Sequence, residues 1–258
     1  MLALIRHTGW RTVSNVFELG GIAVFGARMV YQTFSPPWRL RRLVDEIYTT
    51  GVLSLAIVLL SGAVVGSVLG LQGYITLVRF GAEQSLGSVV GLSLVREFGP
   101  VLTALLVAGR AGSAVAAEIG AMVATEQLDG LRMMSVDPVD FVAQPKALAL
   151  LISMPLLSAL FIVFGLAGGY VVGVGLLGID GGTYITNLER NITFSDEVVG
   201  SVLKSVVFGA LVALISTWRG FTSAPNSAGV SRATTGAVVQ ASVATLVFDY
   251  IITALWGG

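Results

Sequence analysis

Residues 94–138 read LVREFGPVLTALLVAGRAGSAVAAEIGAMVATEQLDGLRMMSVDP. The first part is apolar and exceeds the roughly 20 residues that a helix needs to cross a bilayer, yet it contains Arg96, Glu97, Arg110 and Glu118. The pattern predicts that the same helix continues without a break into ATEQLDGLRMM, which is too polar for lipid. A membrane-spanning helix that ends in an exposed polar segment indicates that a partner outside the membrane can bind this segment and move the helix.

The composition is that of a polytopic membrane protein. Hydrophobic residues make up 55% of the chain and charged residues only 12%, with a mean hydropathy of +0.86, whereas soluble domains carry about 25% charged residues. The 32 glycines suit close packing of membrane helices. The net charge is zero, so no polyanionic partner is indicated, and the absence of cysteine excludes disulfides, thiolate metal sites and cysteine nucleophiles. The N-terminal residues do not resemble a removable signal peptide, so none is expected.

Residues 1–45 are predicted to lie along the membrane surface rather than to cross it. Charged residues interrupt every apolar run there, while an apolar stripe recurs at helical spacing: Val13, Val16, Phe17, Gly20 and Val24. Such a helix places its apolar face in lipid and its arginines at the headgroups, and Pro36-Pro37 ends it. The alternative is a helix packed on another soluble subunit.

Five apolar segments are predicted to span the bilayer and to form a bundle over residues 52–256. They cover approximately residues 52–78, 89–124, 141–177, 198–218 and 234–256. Glycines recur every four residues in the first and third spans and provide flat strips for close approach of another helix; they are Gly62, Gly66 and Gly70, and Gly165, Gly169 and Gly173. Residues 178–197 are predicted to be a polar loop with a short helix from about Tyr184 to Arg190.

The distribution of lysine and arginine predicts the orientation, because cytoplasmic loops are enriched in both. Ten lie on one side of the five spans: Arg6, Arg11, Arg28, Arg39, Arg41, Arg42, Arg132, Lys146, Arg219 and Arg232. Three lie on the other side: Arg79, Arg96 and Arg190. The N-terminus and the EQLDGLR segment are therefore predicted to be cytoplasmic, and Gly258 to be outside.

Charged residues within the spans are candidates for function, because they are costly in a bilayer unless paired or hydrated. Arg96 and Glu97 could hold a zwitterionic headgroup, with the guanidinium on phosphate and the carboxylate on an ammonium group. The alternative is an ordinary interfacial ion pair that reaches water.

The deeper charges are predicted to have mainly structural roles. Arg110 and Glu118 are eight residues apart and do not face each other along one helix, so partners on other helices or water are expected. Lys204 and Asp249 lie in different spans at depths that suit an ion pair between helices.

The sequence argues against an intramembrane enzyme. The sole histidine, His7, precedes every span, so a membrane serine would lack its base, and Asp249 is the only clear membrane aspartate. No G-x-x-x-x-G-K-[ST] phosphate loop is present. If a nucleotide drives transport, the motor is a separate subunit.

The chain after residue 45 resembles the MlaE family of permeases, the membrane subunits of lipid-transporting ABC systems that work with MCE-domain proteins. The resemblance rests on long blocks: SGAVVGSVLGLQGY (61–74), LVREFGPVLTALLVAGRAGSAVAAEIGAM (94–122), ATEQLDGLRMMSVDP (124–138) and SAGVSRATTGAVV (227–239). It implies an all-α, multi-pass permease domain over residues 1–258, in the bacterial inner membrane.

The resemblance also implies the partners and the substrate. Two copies would surround an outward-opening cavity and move phospholipids between the inner and outer membranes, maintaining outer-membrane lipid asymmetry. A cytoplasmic ATPase dimer would carry ATP and Mg, so no cofactor is expected on this chain. A periplasmic MCE-domain hexamer and a small STAS-domain protein would complete the assembly, with no nucleic acid partner.

Matching motifs imply two sets of site residues. The lipid-binding set is Leu69, Gln72, Tyr74, Thr76, Phe80, Arg96, Glu97 and Phe98. The ATPase-coupling set, within the coupling segment 124–138, is Glu126, Gln127, Asp129, Leu131 and Arg132. An ATP-driven movement of this segment is expected to reach Arg96 and Glu97 through the continuous second helix.

Two other classes stay open. An ion-coupled carrier or channel would explain the buried charges without an ATPase, and a structural scaffold for the periplasmic ring would need no coupling segment. The same cavity would serve lipid import and export, and one Arg–Glu pair fits several headgroups.

Overall fold

The computed structural model describes residues 20–32, 40–192 and 194–256, and the regular elements of these residues are all helical. Helix α1 covers residues 20–32. The others are α2 (Leu40–Thr50), α3 (Leu55–Val78), α4 (Leu86–Ser93), α5 (Gly99–Val107), α6 (Ser113–Ala124), α7 (Gln127–Met133), α8 (Gln144–Tyr170), α9 (Gly181–Asn191), α10 (Val199–Phe221) and α11 (Ser227–Trp256).

Five helical stretches are long and apolar enough to cross a membrane, as predicted. These spans are Leu40–Val78, Glu83–Ala124, Val139–Leu176, Asp196–Phe221 and Ser227–Leu255. The first four contribute most of the packed interior, since only 11% of the most apolar window of span five is buried. The chain is therefore an all-α, multi-pass membrane protein; its description as one domain stays a prediction.

The two glycine ladders pack against each other. A Cβ atom on Gly66 would lie 1.8 Å from the carbonyl oxygen of Gly165, and one on Gly62 would lie 2.6 Å from that of Phe161. Backbone therefore meets backbone along α3 and α8, which only residues without a side chain permit. The predicted flat strips are present, and each is the other's partner.

The core lies where α8 and α10 pack together with span two. Leu150, Met154 and Phe161 of α8 and Phe208 and Val212 of α10 are fully buried and belong to one hydrophobic cluster. Because α8 also packs on α3, it is the central helix of the bundle.

Three spans widen into π-helical turns where they carry charge. In span two, the turn Leu94–Phe98 contains Arg96 and Glu97, and the turn Ala108–Gly112 contains Arg110. The turn Val139–Ala143 of span three contains Asp140, and the turn Phe194–Val198 at the start of span four contains Glu197. A π-helical turn inserts one extra residue and is frequent at functional sites. It shifts the direction of the side chains that follow relative to a regular α-helix.

The loop between spans three and four contains the predicted helix, α9. Asp180 begins it by accepting a hydrogen bond from the Thr183 backbone N–H at 2.8 Å. Together with the Thr183 hydroxyl, this donor lowers the pKa of the exposed Asp180 carboxyl.

Tyr184 anchors α9 in the interior. Its ring is buried edge-on against the ring of Tyr170, with 5.6 Å between the ring centroids, and burial raises the pKa of Tyr184 to about 12. A Cβ on Gly87 would meet the Tyr184 carbonyl at 2.3 Å, so α9 packs closely on α4.

Most of the predicted interfacial stripe lies outside the described residues; only Gly20 and Val24 fall within them. Helix α1 packs on α10, where Phe25 contacts the rings of Trp218 and Phe221. Its exposed side is largely apolar, including Val24 and Tyr31, at 72% and 75% exposure. An exposed apolar side suits contact with lipid.

The predicted continuity between span two and the polar segment is wrong. Helix α6 ends at Ala124, Glu126 adopts a left-handed conformation with φ of 59°, and α7 starts a separate helix at Gln127. Thr125 assists the ending by donating its hydroxyl to the Ala121 carbonyl oxygen at 2.8 Å. The turn brings Leu128 into the hydrophobic core at 4% exposure, and this burial is the physical reason for the break.

Candidate functional site

Lys204 is the centre of a charged network in the half of the bundle nearer α9, which we call the α9-side network. Its side chain is 8% exposed and donates to Glu97 Oε2 at 2.9 Å and to Thr253 Oγ1 at 2.8 Å. Asp249 Oδ1 lies 3.1 Å from the same nitrogen, close enough for an ion pair although outside hydrogen-bond geometry. The predicted pairing of Lys204 with Asp249 is therefore present. Spans two, four and five are joined through one ammonium group.

Arg96 completes this network. Its guanidinium makes a two-pronged contact with Glu197, with Nε at 2.5 Å from Oε2 and NH2 on Oε1. Glu197 is 7% exposed, whereas the Arg96 side chain is 59% exposed. The ion pair fixes one edge of the Arg96 guanidinium and leaves its other edge accessible. An anionic group can bind to that accessible edge.

The predicted lipid-binding residues fall into separate groups. Among the described residues, Arg96 and Glu97 bond to spans four and five rather than to span one. On α3, Leu69 and Tyr74 are partly buried against the core, while Gln72 and Thr76 are exposed. Phe80 is 80% exposed and Phe98 41%. The single chain thus pairs Arg96 with Glu197 and Glu97 with Lys204, and leaves the exposed apolar members for lipid or another subunit.

A second network lies at the opposite end of the bundle, nearer α7. Lys146, whose side chain is 4% exposed, reaches Glu46 Oε1 and Glu118 Oε2 at 2.7 Å each. Span three is thereby tied to α2 and to the end of span two. Glu118 was predicted to find its partner on another helix, and Lys146 is that partner.

Arg110 also finds its partners on another helix, as predicted. It donates to the backbone carbonyl oxygen of Thr49 at 2.5 Å and to Ser54 Oγ at 3.0 Å. Thr49 lies in the last turn of α2, where the carbonyl groups lack partners within the helix. A cation at this end is stabilised by the helix dipole, so Arg110 is a capping residue that holds α2 to span two.

The coupling segment forms α7 and the turns on both sides of it. Arg132 donates to Asp129 Oδ1 at 2.7 Å on the helix surface, so these two charges neutralise each other. Leu128 anchors the helix in the core, and Leu131 packs against that core. Of the predicted coupling residues, Glu126, Gln127, Asp129 and Arg132 are exposed.

The turn after α7 is held by α1. Asp137 accepts hydrogen bonds from Arg28 at 2.8 Å and from the Gln32 side chain at 2.5 Å. The Val139 backbone N–H donates to its other oxygen at 3.0 Å, and the Gln144 side chain donates to the Gln32 carbonyl oxygen at 3.0 Å. Helix α1 therefore contacts the chain where the coupling segment leads into span three.

Sequence reasoning missed several of these residues, among them Glu197, Lys146 and Asp137. It assigned Glu197 to the polar loop, although this residue is buried beside Arg96. It counted Lys146 only as a cytoplasmic charge, and it did not single out Asp137. An isolated lysine in the apolar run QPKALALL was a usable signal for burial, whereas Glu197 and Asp137 stand among other polar residues and give no such signal.

Comparison with known proteins decides the family. The family model described as Permease MlaE matches residues 43–255. The chain belongs to the MlaE permease family. It is 50% identical over 216 residues to the Haemophilus influenzae intermembrane phospholipid transport system permease protein MlaE, covering 84% of this chain and 83% of that protein.

Other relatives are similar in sequence to this chain over most of their length. A probable ABC transporter permease protein of Rickettsia bellii is 38% identical over 256 residues, covering 99% of this chain and 98% of the relative. Protein TRIGALACTOSYLDIACYLGLYCEROL 1, chloroplastic, of Arabidopsis thaliana is 30% identical over 96% of this chain and 70% of its own length. The names of the bacterial relatives are those of permeases, which confirms the prediction of a transport subunit rather than an enzyme.

Proposed function

We propose that this MlaE permease is the membrane subunit of an ABC transporter that moves phospholipids between the inner and outer membranes and so maintains outer-membrane lipid asymmetry. The observation that carries the proposal is the 50% identity to a protein named as an intermembrane phospholipid transport permease. The name of the Rickettsia relative supports an ABC mechanism. ATP and Mg belong to a partner ATPase, a proposal that fits a sequence without a phosphate loop.

The lipid site lies near the α9-side network. The accessible edge of Arg96 contacts the phosphate, while Glu197 holds the guanidinium in place. Glu97 lies beside it with its side chain 39% exposed, next to the buried ammonium of Lys204. The exposed apolar members of the predicted set, Phe80 and Phe98, contact the acyl chains across a cavity between two copies of the chain, and the exposed Gln72 and Thr76 of α3 lie nearer the headgroup.

The assembly is a homodimer in the bacterial inner membrane, with the N-terminus cytoplasmic and the C-terminus periplasmic. The arginine and lysine count supports this orientation. A cytoplasmic ATPase dimer docks on the coupling segment through the predicted set Glu126, Gln127, Asp129, Leu131 and Arg132. A periplasmic MCE-domain hexamer and a small STAS-domain protein complete the complex.

Movement of the coupling segment reaches the bundle through its return turn rather than through span two. The break at Glu126 separates α7 from α6, so α7 can change angle without moving span two as a rigid rod. On the other side of α7, Asp137 is bonded to both Arg28 and Gln32 of α1. Helix α1 is packed on α10, which carries Lys204. This chain of contacts connects the docking surface to the proposed lipid site.

The test is transfer of labelled phospholipid between two liposome populations, one of which contains the reconstituted complex. The double variant R96Q/E197Q removes the proposed phosphate ligand without leaving Glu197 buried and unpaired. We expect transfer at least about tenfold slower than wild type, because a charge-assisted contact contributes about 1.5–3 kcal/mol. The control R190Q changes an exposed arginine on α9 and should transfer lipid at the wild-type rate.

Two outcomes would contradict the proposal. Wild-type transfer and wild-type lipid crosslinking by R96Q/E197Q would remove Arg96 from the lipid site. Transfer that needs neither ATP nor the ATPase would favour a carrier or channel over an ABC transporter.

A further inference from the structure

The α9-side network contains one carboxylate more than its cations balance. Arg96 is paired with Glu197, and Lys204 is the ammonium group shared by Glu97 and Asp249. With every group ionised, two positive charges face three negative ones. An unbalanced charge within a membrane-spanning bundle is costly unless something neutralises it.

The other charged groups on the helices that pack against α11 lie away from Asp249. Arg110 bonds to the end of α2, and Glu118 belongs to the network nearer α7. Arg219 donates to Gln240, which precedes Asp249 by nine positions on α11, or about 14 Å along a helix. Within the described part of the chain, the surplus charge therefore stays with the α9-side network.

The lysine has no hydrogen left for Asp249. An ammonium group has three N–H donors. Those of Lys204 are directed at three other oxygens, which are the Arg96 carbonyl oxygen, Glu97 Oε2 and Thr253 Oγ1. Asp249 Oδ1 lies 3.1 Å from the same nitrogen, is buried and has no hydrogen-bond partner among the described residues. A buried acceptor without a donor is costly, so Asp249 is poorly satisfied as an anion.

Glu97 has more partners as an anion than Asp249. It accepts from Lys204 through Oε2 and from the Thr253 hydroxyl through Oε1, at 3.2 Å. Its side chain is 39% exposed, against 19% for Asp249. Glu97 Oε2 and Asp249 Oδ1 lie 2.9 Å and 3.1 Å from the same nitrogen, so they are no more than 6.0 Å apart. Two carboxylates this close to each other favour holding one proton between them.

We propose that Glu97 and Asp249 bind one proton at neutral pH, carried mainly by the Asp249 carboxyl group, and that the α9-side network is thereby uncharged. Loss of this proton leaves one negative charge in the network that holds the accessible edge of the Arg96 guanidinium. Because like charges repel, a lipid phosphate binds there more weakly once the proton is lost. The proton site depends only on the contacts of the network, whereas its effect on lipid transfer rests on the proposed function.

Infrared spectroscopy of the full-length chain in an ester-free detergent tests the proton site. A protonated carboxyl group gives a C=O stretching band that an ionised carboxylate lacks, and this band shifts in D2O. We expect the band in the wild type at neutral pH. Asp249→Asn and Glu97→Gln should each lack it, because either change removes the surplus negative charge. The control Asp196→Asn changes an exposed aspartate at the start of span four and should keep the band.

Two results would overturn the proton site. One is a wild type without the band at neutral pH, since the surplus charge would then be neutralised by a metal cation or by the ammonium group of a lipid. The other is a band that Glu97→Gln keeps, since Asp249 would then be protonated through burial alone. A wild-type elution volume in size exclusion verifies that each variant is folded.

Lipid transfer in the liposome assay tests the consequence separately. Transfer per ATP hydrolysed by the wild-type complex should fall several-fold over the pH range in which the infrared band disappears, and Asp249→Asn should show no such fall. Equal pH profiles in both proteins would overturn the effect on lipid binding and leave the proton site intact. A wild-type complex that transfers no phospholipid at any pH would contradict the proposed function instead.

Discussion

The α9-side network and the coupling segment use polarity in opposite ways. In the network, Lys204 is buried with every donor directed at an oxygen of span two or span five. On α7 of the coupling segment, Asp129 and Arg132 are exposed and paired with each other, while the large apolar Met133 is almost fully exposed. The difference follows from the two solvents. In lipid an unpaired charge is costly, so charges join helices, whereas in water exposed charges and single exposed apolar side chains are both tolerated.

The largest effect on stability is expected for Lys204→Met. The ammonium is lost while Glu97 and Asp249 stay close together without a cation. Removing one partner of a buried ion pair costs about 3–5 kcal/mol, and we expect about 3 kcal/mol because Glu97 is partly exposed. The free energy of unfolding in detergent measures this effect.

The triple variant K204M/E97Q/D249N is the matched control. It removes the unpaired carboxylates together with the lysine, so most of the lost stability should return. If Lys204→Met alone were as stable as wild type, the network would not hold spans two, four and five together.

A smaller effect on stability, but a large one on transport, is expected for Asp137→Asn. Its ion pair with Arg28 is 57% exposed on the arginine side and 31% on the aspartate side, and contributes no more than about 1 kcal/mol. If this contact transmits movement, lipid transfer per ATP hydrolysed should fall several-fold while ATPase binding stays unchanged. The measurement is the ratio of transfer to hydrolysis in the liposome assay.

The charge swap R28D/D137R is the matched control for Asp137→Asn. It rebuilds the ion pair in reverse and should recover part of the lost transfer. Equal coupling ratios in wild type and Asp137→Asn would show that α1 is only a structural support.

The smallest expected effect concerns the start of α9, on the same side as the network. Because the folded-state pKa of Asp180 is lowered, the ionised carboxyl stabilises the helix above the ordinary pKa of 3.8, and this contribution is lost as the pH falls through the lowered value. Asp180→Asn caps the helix comparably but does not titrate in this range. Hydrogen exchange of the α9 amides between pH 5 and pH 2 should lose this acid-dependent increase in the variant, once corrected for intrinsic exchange. An identical pH profile in both proteins would assign the acid sensitivity elsewhere.

The elements that sequence predicted well depend on local patterns. Apolar length located all five spans, and the four-residue glycine repeats located the closest helix packing, at Gly66 and Gly165. The polar loop with a short helix was located from its composition. The pairing of Lys204 with Asp249 was predictable, because a buried lysine in a bilayer needs an anion and few were available.

What remained hidden depends on contacts between distant residues. Arg96 and Glu197 are separated by 101 positions, and Lys146 and Glu46 by 100. Local periodicity carries no information about which of several carboxylates will lie nearest to a given arginine or lysine once the helices pack. The break at Glu126 was hidden for a similar reason, since burial of Leu128 against the rest of the bundle stabilises it.

The number of spans, their glycine packing faces and the lack of a phosphate-loop motif can therefore be read from the local sequence, because each depends on residues that are neighbours in the chain. Three features needed the packed structure: the separation of the coupling segment from span two, the contact of α1 with its return turn, and the outward direction of Met133 and Met134. These features depend on which surfaces the packed bundle covers, and coverage is a property of the whole fold.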